Sequence, residues 1–415
     1  MDFVTLGSIA SIKGGKRLPA GVSLSQIEND HPYIRVRDLN NIRMLEKTSD
    51  IEYVDDETQK SIARYIVDKG DIVISIVGTI GLIAIVGDSL HHANLTENCV
   101  RLTDISKDYD SLFLYYYLAS GICQDEIKKS TVGAVQPKLP LKNIAMIPVP
   151  KIDLQTQKRI ARILSSLDDK IELNNQINRN LEEQAKAIFK SWFVDFEPFQ
   201  DGEFVDSELG IIPDGFKIFK NAELPIFVTD YVANGSFATL KTNVKLYQEQ
   251  NFAYFIRNTD LKSGSFEVFV DKHSYDFLSK TKLFGGEIII SNVGDVGSVF
   301  LCPVLDRPMT LGNNIIMLRP ETAALKYYLY ILFKWFGGQD LIQSIKGGSA
   351  QPKFNKTDFK SLPVLMPPAS KQQEFHSLMS PIFQEIENLN KQSLFLSNLR
   401  NNLLPKLMSG EMNLS

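Results

Sequence analysis

The chain has 415 residues, 44% of them hydrophobic and 23% charged, enough to bury the cores of two ordinary domains without disulfides or metals. Cys99, Cys123 and Cys302 stand far apart with no CxxC or CxxH spacing, which excludes a disulfide framework or cysteine zinc site and predicts reduced, buried thiols in a cytoplasmic protein. A formal net charge of −4 argues against a simple nucleic-acid binder, whose domain is normally basic.

The first residues, MDFVTLGSIASIKGGKR, lack the basic leader, apolar run and small-residue cleavage site of a secretory signal. Residues 13–47 then carry seven Lys or Arg against four Asp or Glu, a local excess of positive charge. Within them Gly14-Gly15-Lys16 lacks the earlier glycine of a phosphate loop, and Arg17 stands where Ser or Thr is required, so the segment reads as a basic turn. The longest near-apolar run, 72–86, is broken by Ser75, Gly78, Thr79 and Gly81; it is too short to span a bilayer and predicts a buried strand, turn and strand. A helical patch follows at 112–123, then a proline-marked exit at Pro148 and Pro150, then a long amphipathic stretch.

The second half repeats this order at an offset of about 215 to 222 residues. Ile34-Arg35-Val36-Arg37-Asp38-Leu39 matches Ile256-Arg257-Asn258-Thr259-Asp260-Leu261, and Gly70-Asp71-Ile72-Val73-Ile74-Ser75 matches Gly286-Glu287-Ile288-Ile289-Ile290-Ser291. Val77-Gly78-Thr79-Ile80-Gly81 pairs with Val293-Gly294-Asp295-Val296-Gly297, and Gly133-Ala134-Val135-Gln136-Pro137-Lys138 with Gly348-Ser349-Ala350-Gln351-Pro352-Lys353. The fold class expected is α+β: two mixed α+β domains in tandem pseudo-repeat, each a set of short strands with a helical patch, the second at 326–341.

Both long stretches carry apolar residues at alternating spacings of four and three. Ile160, Leu164, Leu167, Ile171, Leu181 and Ile188 fill one seam, and Phe375, Met379, Ile382, Ile386, Leu389, Leu396 and Leu403 the other. The shared register predicts two long helices pairing as an antiparallel coiled coil about a pseudo-two-fold axis, against the plainer reading of two unrelated surface helices. Polar Asn174, Asn178, Ser393 and Arg400 in the seams would set the register or face a partner, and Pro381 predicts that the second helix starts or bends nearby. The expected boundaries are 1–150 and 200–368 for the two domains, with helical spacers at 151–199 and 369–415.

Residues 155–199, including Ala187-Ile188-Phe189-Lys190-Ser191-Trp192-Phe193-Val194-Asp195-Phe196, together with Leu403-Leu404-Pro405-Lys406-Leu407-Met408-Ser409-Gly410-Glu411, resemble the specificity subunit of type I restriction-modification systems. The likeness spans essentially the whole chain; Glu287 and Phe354 depart mildly from the repeated scaffold elements. The resemblance implies a non-catalytic reader in which the two domains are target-recognition domains that bind the halves of an asymmetric, bipartite double-stranded DNA target. It also implies that two methyltransferase subunits dock on the helices and restriction subunits join that core. S-adenosylmethionine, ATP and Mg2+ would serve those partners, with no cofactor in this chain. An assembly scaffold that reads no DNA, and an orphan specificity subunit serving methylation only, stay open as alternatives.

A DNA reader needs donors for phosphates and Arg, Lys, Asn or Gln for base edges. The candidates in the first domain are Lys13, Lys16, Arg17, Arg35, Arg37, Asn40, Asn41, Thr79, Gln136 and Lys138. In the second they are Lys241, Arg257, Asn258, Lys262, Asn292, Asn313, Gln351 and Lys353. Gln136 and Gln351 serve equally well as fixed turn residues, and Arg35 and Arg257, which match between repeats, as scaffold. No Asn/Asp-Pro-Pro-aromatic loop or glycine-rich cofactor loop is present for a methyltransferase fused to its reader. The Asp/Glu-x-Lys triplets at Glu126, Asp168 and Asp260 read as solvated charge, and the adjacent His91 and His92 as ordinary imidazoles, with no metal site.

Overall fold

The computed structural model describes residues 2–39, 42–133, 135–348 and 351–411. The chain divides into two compact units, residues 1–173 with 392–415, and residues 174–391. Each holds one mixed α+β domain and part of both long helices, Leu154–Phe193 and Ala369–Met408.

In the first unit one sheet runs in the order Ser11–Gly14, Cys99–Thr103, Ile72–Ser75, Ile83–Val86, Met44–Leu45, with all but the last pairing antiparallel. Its centre is covered on both faces: Ile72, Ile74, Val100 and Leu102 enter one apolar cluster, and Val73, Ala84, Val86 and Cys99 another. Burial on both sides explains why Ile72, Val73 and Ile74 follow one another with no polar alternation. A smaller sheet joins Glu52–Tyr53, Pro32–Ile34 and Asn94–Leu95, the last two parallel.

The second unit repeats this plan. Ile226–Asp230, Ile315–Pro320, Ile288–Ser291 and Val299–Leu301 form the antiparallel sheet, and Ala253–Ile256 pairs in parallel with Met309–Leu311 and antiparallel with Phe269–Val270. The helical patches are each split in two, Ser111–Ala119 with Gly121–Ser130 and Lys326–Trp335 with Gly337–Ser344. Ser120 ends the first helix in extended backbone and caps the next by accepting from the Cys123 N–H. The proline-marked segments are themselves strands: Pro148–Pro150 pairs with Phe3–Thr5, and Pro363–Met366 with Lys217–Lys220.

Glu287 performs the task of its shorter counterpart. Arg101 meets Asp71 at 3.1 Å, and Arg319 meets Glu287 at 3.0 Å; each acid also accepts from the backbone N–H three residues earlier, Asp68 or Phe284. The three cysteines are free and buried, and burial pushes the Cys123 thiol up to about 12, which makes it inert at neutral pH. Among the described residues no helix is long and apolar enough to cross a membrane.

Each long helix has 40 residues, a length of about 60 Å. In both units the helices run antiparallel, because rising numbers on one meet falling numbers on the other. Asp168 pairs with Arg400 and Ile160 shares a cluster with Leu407 in the first unit; Asn178 donates to Asn390 at 2.8 Å and Phe189 packs on Phe375 in the second. Ile160, Leu164, Phe375, Met379 and Leu389 are buried, while Leu167, Ile171, Leu181, Ile188, Ile382, Ile386, Leu396 and Leu403 are half-buried.

Two expectations need correction. Of the two alternatives offered for Pro381, a helix start there is overturned: the helix begins at Ala369, and the exposed Pro381 ring sits inside it with helix on both sides. The Asp168 and Asp260 triplets are not solvated charge. Asp168 is 13% exposed and accepts from Tyr116 Oη and Arg400, its neighbour Asp169 pairs with Arg43, and Asp260 is buried against Arg257. Triplet spacing says nothing of the cations that a distant segment brings alongside.

Candidate nucleic-acid interface

In the first unit, backbone hydrogen bonds gather several loops at one end of the sheets. The Ile76 N–H donates to the Asn98 carbonyl at 2.8 Å, and the Ile76 carbonyl accepts from Leu139 at 3.0 Å. The Thr96 N–H donates to the Ile34 carbonyl, and the Lys16 N–H to that of Leu95. Gly15 is required here, since a Cβ would overlap the Thr96 carbonyl oxygen. Lys16, Arg17, Arg35, Arg37, Thr79 and Lys138 are therefore carried on loops that share one wiring. Lys13 is not; it pairs with Asp104 at 3.1 Å beyond the other end of Cys99–Thr103. Asn40 and Asn41 lie outside the described residues.

The side chains differ in freedom. Lys16 is exposed, with Nζ 5.6 Å from the Tyr65 ring centroid, and the exposed Arg17 meets Glu97 at 2.7 Å. Arg35 is half-buried in an ion pair with Glu52, which Arg37 also approaches at 3.5 Å. Asp38 accepts from the Arg35 N–H at 2.7 Å, and burial raises its pKa to about 6 against the opposing pull of Arg37. Thr79 is exposed, and its carbonyl accepts from Ser75 Oγ.

The second unit has the same wiring. The Asn292 N–H donates to Asn314 and its carbonyl accepts from Phe354, both at 3.1 Å, while the Gly312 N–H donates to the Ile256 carbonyl at 2.7 Å. These loops bring Arg257, Asn258, Lys262, Asn292, Asn313 and Lys353 to the corresponding end. Arg257 is forked onto Asp260, at 2.6 Å from Nη2 to Oδ1 and 3.0 Å from Nε to Oδ2. Asp295, in the position of Thr79, accepts from Lys262 at 2.6 Å, Ser298 at 2.5 Å and Asn258 at 3.2 Å, and these hold its carboxyl down at about 2. Asn292 donates its amide to the Phe354 carbonyl, and Asn313 is exposed. Lys241 stands apart on the exposed side of Phe237–Asn243.

The repeated glutamines are exposed, and the turn around them is held by other groups. Lys138 bridges Val77 and Val132 through its backbone, as Lys353 bridges Val293 and Gly347. Gly133 and Gly348 have φ of +96° and +89°, and a Cβ on them would come within 2.9 and 2.7 Å of the Gln136 and Gln351 carbonyl oxygens. The turn therefore needs neither glutamine side chain.

Sequence reasoning missed a second scaffold pair. Gln124 donates to the Gly81 carbonyl at 3.0 Å, and Gln339 to the Gly297 carbonyl at 3.0 Å, so each ties a helix to the Val-Gly-x-x-Gly loop. Carrying the 215-residue offset through the helical patches would have found it. Glu52, Glu97 and Asp295, which neutralise candidate cations, had no signal, because their partners lie far away in sequence.

Comparison with known proteins matches residues 1–183 and 228–394 to the type I restriction modification DNA specificity domain. The type I restriction enzyme MjaIX specificity subunit of Methanocaldococcus jannaschii is 27% identical over 421 residues, covering 99% of this chain and 93% of that one. The HindI specificity subunit of Haemophilus influenzae is 22% identical over 72% of this chain and 77% of its own length. The crystal structure of a type I restriction-modification system S subunit from M. genitalium shares the fold, with a TM-score of 0.57 at 16% identity, covering 98% of this chain and 95% of that one.

Proposed function

Because this chain belongs to the type I restriction-modification DNA specificity family, whose specificity subunits are non-catalytic, we propose that it reads an asymmetric, bipartite double-stranded DNA target for a larger complex. Recognition domains at 1–150 and 200–368 each read one half-site, and the helical segments 151–199 and 369–415 set the spacing between them. Two methyltransferase subunits dock on those helices and restriction subunits join that core. S-adenosylmethionine, ATP and Mg2+ are used by these partners in the cytoplasm.

One observation carries the reading. The wiring through Ile76, Asn98 and Leu139 recurs at Asn292, Asn314 and Phe354, while the side chains it presents differ: Lys16, Arg17 and Thr79 in one domain, Asn258, Lys262, Asn313 and Asp295 in the other. A shared frame with unlike reading residues is what two unlike half-sites require. Lys16 and Arg17 carry donors for phosphates or base edges, whereas the exposed Asn313 offers the donor and acceptor pair that adenine needs.

The test is to co-express the chain with the neighbouring methyltransferase subunit and map modified adenines across genomic DNA by single-molecule sequencing. A bipartite motif that vanishes without this chain is expected, and exchanging residues 1–150 should alter one half-site only. Modification independent of the chain would leave an assembly scaffold as the better reading.

A further inference from the structure

Away from the reading loops, the described residues of the first unit bring together three metal-ligating side chains, Asp68, His91 and His92, whose donor atoms lie within 4.8 Å of one another. Asp68 precedes Ile72–Ser75, at the opposite end of that strand from the Val77–Gly81 loop. Two hydrogen bonds of 2.8 Å hold the segments side by side, from the Val67 N–H to the Ala93 carbonyl and from the His92 N–H to the Val67 carbonyl.

Neighbouring side chains on extended backbone point to opposite sides. Here His92 adopts φ of +67°, in the left-handed region uncommon outside glycine, and the two imidazole centroids lie 3.7 Å apart. His92 Nε2 and His91 Nδ1 stand 3.5 and 3.6 Å from one carboxylate oxygen, Asp68 Oδ1. A tetrahedral Zn2+ holds nitrogen and oxygen ligands at about 2.0 to 2.2 Å, which sets them about 3.3 to 3.6 Å from one another. The separations are those of ligands around a common ion, and longer than a good N–H···O bond. The Lys69 N–H meets His91 Nδ1 at 3.2 Å, so this nitrogen carries the lone pair that a metal requires and would exchange that long contact for the ion. The surrounding charges are matched elsewhere: Arg101 lies 3.1 Å from Asp71 and 3.5 Å from Asp68 Oδ2, and Lys69 Nζ pairs with Asp88 at 2.6 Å.

The domain scaffold does not call for these residues. Lys282 pairs with Thr310 and Leu283 with Met309 in the second domain, as Ile66 pairs with Asn94 in the first. This register puts Phe284, Arg307 and Pro308 in the places of Asp68, His91 and His92. Proline cannot take positive φ, so the left-handed turn at His92 belongs to the first domain alone. We propose that Asp68, His91 and His92 form a binding site for a divalent transition metal, Zn2+, with water completing its coordination. Two imidazole nitrogens and a carboxylate suit Zn2+ rather than Mg2+ or Ca2+, which seek oxygen ligands. The exposed imidazoles leave the ion open to solvent, and the site does not depend on the reading of DNA.

The test strips the full-length, tag-free chain with EDTA and titrates it with ZnCl2 by calorimetry. The variants are Asp68→Asn, His91→Asn, His92→Asn and the double His91→Asn, His92→Asn; asparagine tolerates the left-handed backbone. The wild type is expected to take up one Zn2+ per chain and to melt at a higher temperature with metal than without. Each single variant should bind at least tenfold more weakly, and the double variant should lose the metal-dependent rise while keeping the wild-type midpoint in EDTA. Co2+ in place of Zn2+ should give the visible absorption of a four-coordinate complex in the wild type and not in the double variant. Wild-type binding no tighter than that of the double variant overturns the assignment, because any metal is then held elsewhere or not at all.

Discussion

The Arg400 guanidinium donates to Asp168 Oδ1 at 2.6 Å, joining the two long helices 232 residues apart in sequence. Tyr116 of the first domain donates to the other oxygen of the same carboxylate at 2.6 Å, and Arg43 reaches Tyr116 Oη and the Ser165 carbonyl, each at 3.3 Å. One carboxylate thus links both helices and the recognition domain, beside a cleft of about 350 Å³ lined by Tyr115, Tyr116, Asp168 and Arg400. Replacing Asp168 by Ala leaves Arg400 and Tyr116 without their acceptor and is expected to cost about 1.5 to 3 kcal/mol. Urea unfolding of the single and double Asp168→Ala and Arg400→Ala variants checks it. Strict additivity of the two substitutions would show that the pair is not coupled.

In the second unit rings bind the two helices to each other and to the domain, beside an ion pair of Lys334 with Glu182 at 2.8 Å. Phe375 is buried against Phe189, Phe193 and Trp192, and Tyr327 stacks on Phe383 at 4.6 Å. Phe375→Ala is expected to destabilise the chain by about 3 to 5 kcal/mol, and Phe375→Leu by markedly less. Thermal or urea denaturation of both variants orders them. Equal losses would mean that ring volume is not what the site requires.

His376 stacks on Tyr327 at 5.3 Å, and its Nδ1 is buried with no hydrogen-bond partner. Burial lowers its pKa, and the nearby Lys326 lowers it further. Between this depressed value and the unfolded value of about 6.5, the unfolded chain binds more protons. The stability tied to neutral His376 is therefore complete above about pH 6.5 and is lost as pH falls toward the folded pKa. A His376→Gln chain should show a flatter stability profile from about pH 7 to 5, read by denaturant midpoints at each pH; an unchanged slope would assign the titration elsewhere.

Lys16 and Arg17 are exposed on the loop carried by Leu95 and Cys99, and the proposed function expects them to meet backbone phosphates. Each phosphate left without its cation should lower the slope of log K against log salt by about 0.9. Lys16→Ala and Arg17→Ala together should cut that slope by about 2 in the assembled complex, weakening all DNA sequences alike. Fluorescence anisotropy on cognate and unrelated duplexes measures both. Weakening confined to the cognate duplex would make these residues base readers.

The tandem repeat, the two long helices and the mixed α+β class were legible in the sequence, because each rests on spacing: a 215-residue offset, a four-three apolar seam and short apolar runs between glycine turns. Local chemistry also located the Gly133 and Gly348 turns, whose backbones tolerate no side chain. What only the tertiary structure decided is which charges have partners. Arg35 and Glu52, Lys262 and Asp295, Asp168 and Arg400 are 17, 33 and 232 residues apart, and an ion pair leaves no periodic trace in sequence. Exposed cations and those held by carboxylates look alike until the chain is folded, since the Coulomb term depends on separation in space and on burial.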